Sequence, residues 1–365
     1  MISDPELFTV GPDEVVVTFR TDAEETVTTR VGAHSVETAG RYHSARIAGL
    51  DPETEYDLEV DGAEASDLLP ARVTTLALPT GRLIATVATV NDVHFGEKEC
   101  GRLGIEEEIG PVFTTAPGEA PYWEVMNAGA IAEIGALDPD ALIVKGDLTS
   151  AGTEEEYELF LNAYSRLDNM HHIRGNHDAN LTQTIAPDPV VVQLDGVTLA
   201  VIDTVRPRLE RGQVTREQLE WLDALAGENT GPVFVFGHHQ PWSPASHERS
   251  EHYFGINPDD SEALGAILAR HENIVGYFAG HTHRNRIRHF PSARNIPIVE
   301  VACVKDYPGA WAEYRIHEGG YVQIVRRIAT PEAMRWTEQT RQMFAGLYRD
   351  YALGSIADRC FARAY

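Results

Sequence analysis

The stretch Leu83-Ile-Ala-Thr-Val-Ala-Thr-Val90, followed by Asn91-Asp92-Val93-His94, decides the fold class of this chain. An unbroken apolar and β-branched run of this length is typical of a strand buried on both faces in a parallel sheet. Asp92 and His94 are separated by one residue, and alternate side chains of an extended segment share a face. The segment therefore predicts a buried strand that ends in two side chains able to bind one metal ion.

Similar polar segments follow further along the chain. Buried-strand patterns at 141–144, 232–236 and 274–278 each end just before one of them. The five polar segments are Asp92-Val-His94, Gly146-Asp147, Gly175-Asn176-His177-Asp178, Gly237-His238-His239 and Gly280-His281-Thr282-His283. Ligands of open α/β sheets bind outside the carboxyl ends of the strands, so we expect these segments to converge. Each segment alone could be an ordinary turn, but together they supply enough oxygen and imidazole ligands for two metal ions.

In this order, the segments resemble the calcineurin-like metallophosphoesterase superfamily, and most of all its class III cyclic-nucleotide phosphodiesterases, over roughly residues 82–328. The resemblance implies a first metal held by Asp92, His94, Asp147 and His283. It implies a second metal held by Asp147, Asn176, His238 and His281, with Asp147 bridging the two. His177 would then lie beside the scissile phosphorus, oriented by Asp178, as the catalytic pair. His239 and Trp242 are weaker candidates for substrate contact.

Phosphoester hydrolysis needs a nucleophile, charge neutralisation and help for the leaving group. Two metal ions would supply a bridging hydroxide for in-line attack, and His177 would stabilise the transition state or protonate the leaving alkoxide. No serine or cysteine of the five segments is a candidate covalent nucleophile. The nitrogen and oxygen ligands suit Mn²⁺, Fe or Zn²⁺ better than Ca²⁺ or Mg²⁺.

Purple acid phosphatases are the nearest competing family. Their pattern replaces the first histidine and places a tyrosine ligand three residues after the Gly-Asp aspartate. This chain keeps the first histidine, His94, and has Ser150 three residues after Asp147. The sequence therefore argues against the tyrosine-ligated subclass.

Residues 1–78 are expected to form a separate small all-β sandwich. Alternating patterns at 14–20, 26–31 and 42–47 predict strands, and residues 48–60 resemble the E–F corner of a fibronectin type III domain, with Tyr56 as its corner tyrosine. A β-meander extension of the catalytic domain is the alternative.

Strands alternate with helical patterns beyond residue 82, which predicts βαβ units. The helices are predicted at Tyr122–Leu137, 153–167, 215–226 and 260–271. The expected fold class is α/β, a four-layer sandwich of two mixed sheets flanked by helices over residues 82–330. A helical tail at 331–365 would pack on the core or form a dimer. Loops at 95–121, with an acidic cluster at 106–108, and at 242–258, with His247 and His252, are expected to border the site.

Composition limits the partners. The 365-residue chain has a formal net charge of −26, so nucleic-acid polymers and anionic membranes are unexpected partners, whereas a small phosphoester drawn in by metals is compatible. Three cysteines fit no thiolate zinc spacing, and the first residues lack an export signal. The expected location is the cytoplasm. A homo-oligomer is possible, and the sequence does not decide it.

We therefore expect a dinuclear metal-dependent phosphoesterase acting on a small phosphodiester, with a 3′,5′-cyclic nucleotide as the specific hypothesis. A general phosphomonoesterase is the alternative within the same class. From another class, the chain could be a metal-binding interaction scaffold with a degenerate site, although its ligand set is complete. An adhesive fibronectin-like surface protein conflicts with the missing export signal.

Overall fold

The computed structural model describes residues 1–102, 109–181 and 185–365. Part of the loop predicted at 95–121, including the acidic cluster at 106–108, lies outside these residues. The strands are β1 (Ile2–Val10), β2 (Glu14–Val31), β3 (His34–Ala48), β4 (Glu55–Val60), β5 (Arg72–Thr74), β6 (Leu83–Val90), β7 (Glu99–Cys100), β8 (Phe113–Thr114), β9 (Ala141–Lys145), β10 (Met170–Ile173), β11 (Val190–Leu194), β12 (Val197–Val201), β13 (Val233–Phe236), β14 (Ile274–Ala279), β15 (Arg286–His289), β16 (Pro297–Glu300), β17 (Ala310–His317), β18 (Gly320–Arg327) and β19 (Cys360–Ala364). The helices are α1 (Tyr122–Leu137), α2 (Glu154–Tyr164), α3 (Arg216–Glu228), α4 (Pro258–Arg270), α5 (Pro331–Thr340), α6 (Tyr348–Leu353) and α7 (Ile356–Arg359).

Two six-stranded mixed sheets form the centre of the molecule. The first has the order β10-β9-β6-β17-β18-β19, in which β10, β9 and β6 are parallel and the remaining pairs are antiparallel. The second has the order β11-β12-β13-β14-β16-β15, with four parallel strands between two antiparallel edges. The parallel strands β9, β13 and β14 are buried along their whole length, as expected of strands covered on both faces.

The two sheets face each other across an aromatic core. The ring of Phe234 in the second sheet lies 4.9 Å from that of Tyr321 in the first, and Phe278 lies 4.9 Å from Tyr314. Helices α1 and α2 add apolar side chains to this core, while α3 and α4 pack with the second sheet in a separate cluster. The predicted four-layer arrangement of two mixed sheets flanked by helices is therefore confirmed.

Threonine residues cap the starts of α2 and α3. The Thr153 hydroxyl accepts a hydrogen bond from the Glu156 amide at 3.2 Å, and the Glu156 carboxylate accepts one from the Thr153 amide at 3.4 Å, forming a capping box. Thr215 accepts from the Gln218 amide at 3.3 Å. These local bonds explain why both helices begin where the sequence pattern predicts.

The N-terminal region is all-β, as predicted, but its strands differ from the predicted ones. The patterns at 14–20 and 26–31 belong to one long strand, β2, which pairs with β3 along both parts. The pairing register shifts between Arg20 and Glu25, where the exposed polar residues interrupt the alternation of buried and exposed positions. β1 also pairs with β2 and had no predicted counterpart.

Residues 331–365 contain α5, α6 and α7, but the segment ends in a strand rather than a helix. β19 pairs antiparallel with β18 and so extends the first large sheet. Strand formation here depends on the exposed edge of β18, which is distant in sequence, and a local helical pattern does not report it. Within the described residues, every helix is too short or too polar to cross a bilayer.

Buried ion pairs join the N-terminal region to the rest of the chain, including the first large sheet. Glu14, with a side chain 1% exposed, lies 2.8 Å from Arg315 and 2.7 Å from Arg326. Glu6 contacts Arg341 at 2.9 Å and accepts a hydrogen bond from Tyr307 at 2.8 Å. Because unpaired buried charges are costly, these pairs hold the two regions in one arrangement.

The pairing of Glu14 predicts a pH dependence of stability. Although burial alone would raise it, Arg326 and Arg46 lower the pKa of Glu14 from 4.5 to about 2. Its ionised form therefore stabilises the folded protein above pH ~4.5, and this contribution is lost as the pH falls toward 2. Between pH 7 and pH 3, the loss due to Glu14 is about 2 kcal/mol.

The free energy of unfolding of metal-free protein can be measured with urea at pH 7 and at pH 3. Between these pH values, Glu14→Gln should lose about 2 kcal/mol less of this free energy than the wild type. Glu55→Gln, which removes an exposed partner of Arg72, should follow the wild type. Identical pH dependence for Glu14→Gln and the wild type would contradict the assignment.

Candidate metal centre

The five polar segments follow neighbouring strands of the two facing sheets. Those containing Asp92, Asp147 and Asn176 come after β6, β9 and β10 of the first sheet. Those containing His238 and His281 come after β13 and β14 of the second. The carboxyl ends of these parallel strands meet at one rim, so residues almost 200 positions apart in sequence come together.

Asp147 lies at the centre of the group. Its Oδ2 is 3.5 Å from His94 Nε2, and its Oδ1 is 3.4 Å from His238 Nε2. On the His94 side, Asp92 Oδ1 lies 3.4 Å from His283 Nε2. On the His238 side, Asn176 Oδ1 lies 3.1 Å from His238 Nε2, and the rings of His238 and His281 are 5.0 Å apart. All seven predicted metal ligands are thus brought together, with the two oxygens of Asp147 facing opposite halves.

Several of these side chains carry buried atoms without a hydrogen-bond partner in the described parts of the chain. They include Asp92 Oδ1, His94 Nε2 and His281 Nε2. A buried polar atom left without a partner is costly, and here each atom is one that ligates metals. The donor set, all oxygen and imidazole nitrogen, therefore fits metal ions, and several groups of three, among them Asp92, His94 and His283, have ligand atoms within 4.8 Å of one another.

The backbone at this rim is held in an unfavourable conformation. Asp92, His94, Asp147, His281 and His283 all have positive φ, between 44° and 67°. This left-handed region costs residues other than glycine roughly 1 kcal/mol or more each, and such strain concentrates at functional sites. Five of the seven predicted ligands share it, which supports a functional reason for their placement.

Two glycines allow the segments to approach this closely. Gly146 has φ +89°, and a Cβ there would lie 2.6 Å from His238 Nδ1. A Cβ on Gly175 would lie 2.2 Å from Asp147 Oδ1. Because real Cβ atoms do not approach other atoms so closely, only glycine lets the loops close around Asp147.

The ring of His238 is oriented from behind by the backbone. Its Nδ1 lies 2.8 Å from the Lys145 carbonyl oxygen, so Nδ1 carries the proton and Nε2 faces the centre. Burial lowers the pKa of His94 and of His281 well below the usual value, which favours their neutral form, whereas at His238 and His283 nearby acidic groups outweigh burial and raise the pKa. A neutral imidazole with a free nitrogen is the form that binds metals.

His177 and Asp178 do not interact as the sequence suggested. His177 Nδ1 lies 2.6 Å from the Ser150 carbonyl oxygen, which orients the ring. The Asp178 carboxylate instead accepts hydrogen bonds from the amides of Leu148, Thr149 and Gly175. Asp178 therefore connects the loop of Asp147 to the loop of His177. The backbone carbonyl of Ser150, rather than Asp178, orients the His177 ring.

The two weaker substrate candidates have other contacts. His239 Nδ1 is 2.9 Å from the Thr204 hydroxyl and Nε2 is 3.1 Å from the Glu210 carbonyl oxygen, so both ring nitrogens are engaged. Trp242 is 6% exposed, and its indole N–H donates to the Glu248 carbonyl at 3.1 Å. A substrate contact through these polar atoms would require a hydrogen bond to break.

The sequence missed other residues of this site. The ring of Phe254 stacks on His281 with centroids 4.1 Å apart and is 49% exposed. Glu97, Lys305 and Asp306 lie behind His94 and His283. Glu97 could have been suspected from its position three residues after His94, but no local pattern marks Lys305, Asp306 or Phe254.

Comparison with known proteins agrees with this geometry. Residues 85–285, more than half of the chain, match the family described as calcineurin-like phosphoesterase. The chain belongs to this family. The matched segment begins inside β6 and ends just after His283, so it contains all seven candidate ligands of the phosphoesterase.

Relatives of this phosphoesterase include diesterases. It is 27% identical to a probable cyclic nucleotide phosphodiesterase of Synechococcus sp., over 40% of this chain and 58% of that protein. It is 26% identical to a glycerophosphodiester phosphodiesterase of Enterobacter lignolyticus, over 43% of this chain and 61% of that protein. The chain thus spans about three fifths of the length of these two relatives. A dimetal phosphatase of Danio rerio shares the fold, with a TM-score of 0.50 and 13% identity over 68% of this chain and 97% of that one.

Proposed function

We propose that this protein is a dinuclear metal-dependent phosphodiesterase that hydrolyses small phosphodiesters, with 3′,5′-cyclic nucleotides as the substrate class. The observation that carries the proposal is the placement of Asp147 between two groups of buried ligands. Asp92, His94 and His283 would hold one ion, and Asn176, His238 and His281 the other. Bound ions would supply an acidified water as nucleophile and neutralise charge on the phosphoryl group.

His177 is the residue proposed to help the leaving group. Its ring lies 4.6 Å from that of His94, at the edge of the metal ligands. Because Ser150 occupies Nδ1, Nε2 is the nitrogen that faces substrate. Although burial alone would lower it, Asp147 and the Ser150 carbonyl raise the pKa of His177, which favours the protonated ring that a general acid needs.

Phe254 supports a substrate with a planar organic group. One face of its ring covers His281, and about half of the residue is exposed beside the candidate centre. An aromatic face at this position suits a nucleobase, which a glycerophosphodiester lacks. The cyclic nucleotide relative agrees with this choice, and the net charge of −26 disfavours polymeric nucleic acid.

Activity on four substrates with added Mn²⁺ tests the proposal: 3′,5′-cyclic AMP, a glycerophosphodiester, bis(p-nitrophenyl) phosphate and p-nitrophenyl phosphate. We expect hydrolysis of the diesters, with the highest kcat/KM for the cyclic nucleotide. Hydrolysis of the monoester alone would establish a phosphomonoesterase instead. Inactivity on all four by protein that binds two metal ions would favour the interaction scaffold.

Phe254→Ala should raise KM for cyclic AMP by about tenfold, because base–aromatic stacking contributes about 1–3 kcal/mol. KM for the glycerophosphodiester should change much less. Phe254→Tyr keeps the ring and should behave as the wild type. Equal effects of Phe254→Ala on both substrates would remove the argument for a nucleobase.

The remaining assignments are proposals of the same kind. We propose a fibronectin type III-like domain at 1–78, supported by the hydrogen bond from the Asp51 amide to the Tyr56 hydroxyl at 2.9 Å, followed by the catalytic domain at 82–330 and a C-terminal segment at 331–365. A cytoplasmic location is supported by Cys100, Cys303 and Cys360, which are buried free thiols.

A further inference from the structure

Behind the candidate ligands His94 and His283 lies a compact group of buried charges, Glu97, Lys305 and Asp306, here called the Lys305 cluster. Lys305 Nζ is 2.8 Å from Glu97 Oε2 and 3.3 Å from Asp306 Oδ2. The side chains of Lys305, Glu97 and Asp306 are 6%, 13% and 2% exposed. One ammonium group thus lies between two carboxylates that would otherwise repel each other.

Each carboxylate of the Lys305 cluster faces one candidate metal ligand. Glu97 Oε1 lies 3.5 Å from His94 Nδ1, which makes no hydrogen bond within the described residues, and Asp306 Oδ2 lies 3.5 Å from His283 Nδ1. In both histidines, the opposite nitrogen, Nε2, points toward a carboxylate of the candidate centre, Asp147 or Asp92. The two rings therefore stand between one carboxylate in front and one behind.

Further hydrogen bonds hold the cluster in place. Glu97 accepts one from the Tyr122 hydroxyl of α1 at 2.5 Å, and Asp306 accepts one from the Tyr348 hydroxyl of α6 at 2.6 Å. Asp306 Oδ1 also lies 2.8 Å from Cys303 Sγ. The cluster is therefore held by α1 on one side and by the C-terminal segment on the other.

Burying three charges carries a desolvation cost that good pairing only offsets. Replacing such a buried group by well-packed apolar residues is often neutral or stabilising, so stability is a weak explanation for the cluster. A carboxylate behind a ligating imidazole, in contrast, sets the tautomer and the direction of the ring. We propose that the Lys305 cluster is a positioning device that aims Nε2 of His94 and of His283 at one metal position.

This inference rests on the proposed two-metal site, and it predicts an effect on one ion only. His238 is oriented by the Lys145 carbonyl, outside the cluster. Removing Lys305 leaves Glu97 and Asp306 without the charge that holds them together. The rings of His94 and His283 then lose the carboxylates that orient them. The ion held by Asn176, His238 and His281 keeps its own supports.

Calorimetric titration of metal-free protein with Mn²⁺ tests the proposal. The wild type should bind two ions per chain, and Lys305→Met should weaken one of the two binding steps by about 10- to 100-fold while the other changes far less. Lys305→Arg keeps the cation and should bind more tightly than Lys305→Met. Two unchanged binding steps in folded Lys305→Met protein would overturn the proposal.

Arg327→Met is the matched control, because Arg327 is also a buried cation between two carboxylates, Glu6 at 3.5 Å and Glu338 at 2.7 Å. Arg327→Met should bind both ions as the wild type does. If Arg327→Met weakened Mn²⁺ binding as much as Lys305→Met does, the Lys305 effect would be one of general destabilisation. If Lys305→Met does not fold, Glu97→Gln, which keeps a hydrogen-bonding group, should weaken the same step to a smaller extent, and no weakening would also overturn the proposal. A wild type that binds two ions but hydrolyses no phosphodiester would refute the proposed function and leave this inference intact.

Discussion

Replacing Asp147 by Asn is expected to lower phosphodiester turnover by about three orders of magnitude or more. The two oxygens of Asp147 face His94 on one side and His238 on the other, so both proposed metal positions would share this carboxylate. The amide of asparagine lacks the negative charge and one of the two oxygens, so the binding of both ions should weaken. A loss of ~4 kcal/mol of transition-state stabilisation corresponds to about a thousandfold in rate.

Steady-state kinetics with cyclic AMP and elemental analysis of Asp147→Asn should be done on the same preparation. We expect fewer than two ions per chain together with the loss of activity. Asp223→Asn, at a surface ion pair with Arg270, is the control and should keep wild-type turnover. Two tightly bound ions with turnover above a tenth of the wild-type rate in Asp147→Asn would contradict a bridging role.

Replacing His177 by Ala should lower kcat for cyclic AMP by about 10²- to 10⁴-fold, the range typical of a general acid. Metal content should stay at two ions per chain, because the His177 ring hydrogen bonds to the Ser150 carbonyl, and the bond from His177 to Asp147 comes from its backbone amide, which alanine keeps. The effect should depend on the leaving group. An alkoxide needs a proton to depart, whereas p-nitrophenolate is stable as an anion.

The loss of kcat in His177→Ala should therefore be much smaller for bis(p-nitrophenyl) phosphate than for cyclic AMP. His289→Ala, on the edge strand β15, should match the wild type on both substrates. Loss of a metal ion, or unchanged turnover of cyclic AMP, would show that His177 is a ligand or a bystander. Equal losses on both substrates would remove its role as an acid.

The strands and most of the ligands could be predicted because their signals are local. β6 spans the predicted residues Leu83–Val90, and α1 spans Tyr122–Leu137. An apolar run followed by Asp-x-His or Gly-Asp carries both the strand and the side chains at its end. The seven candidate ligands were named from the resemblance of these segments to a known family, and the structure brings all seven side chains together.

Local signals failed where a partner distant in sequence decides the outcome. Asp178 follows His177 directly, yet it binds amides 29 and 30 residues away, while Ser150 orients the ring through its backbone, which no side-chain pattern reveals. The strand β19 exists because β18 offers an edge, and the two halves of β2 stay in one strand because β3 pairs with β2 on both sides of the irregularity between Arg20 and Glu25.

The sequence by itself indicated the family, because hydrophobic runs and the polar segments after them are properties of short stretches of chain, and the resemblance to that family implied the two-sheet architecture and the candidate ligands. The tertiary structure alone decided which groups stand behind those ligands. Lys305 and Glu97 are separated by 208 positions, and Asp306 and Tyr348 by 42, so no spacing rule joins them. Only folding sets their distances, and the distances determine whether a buried charge orients a metal ligand or merely destabilises the core.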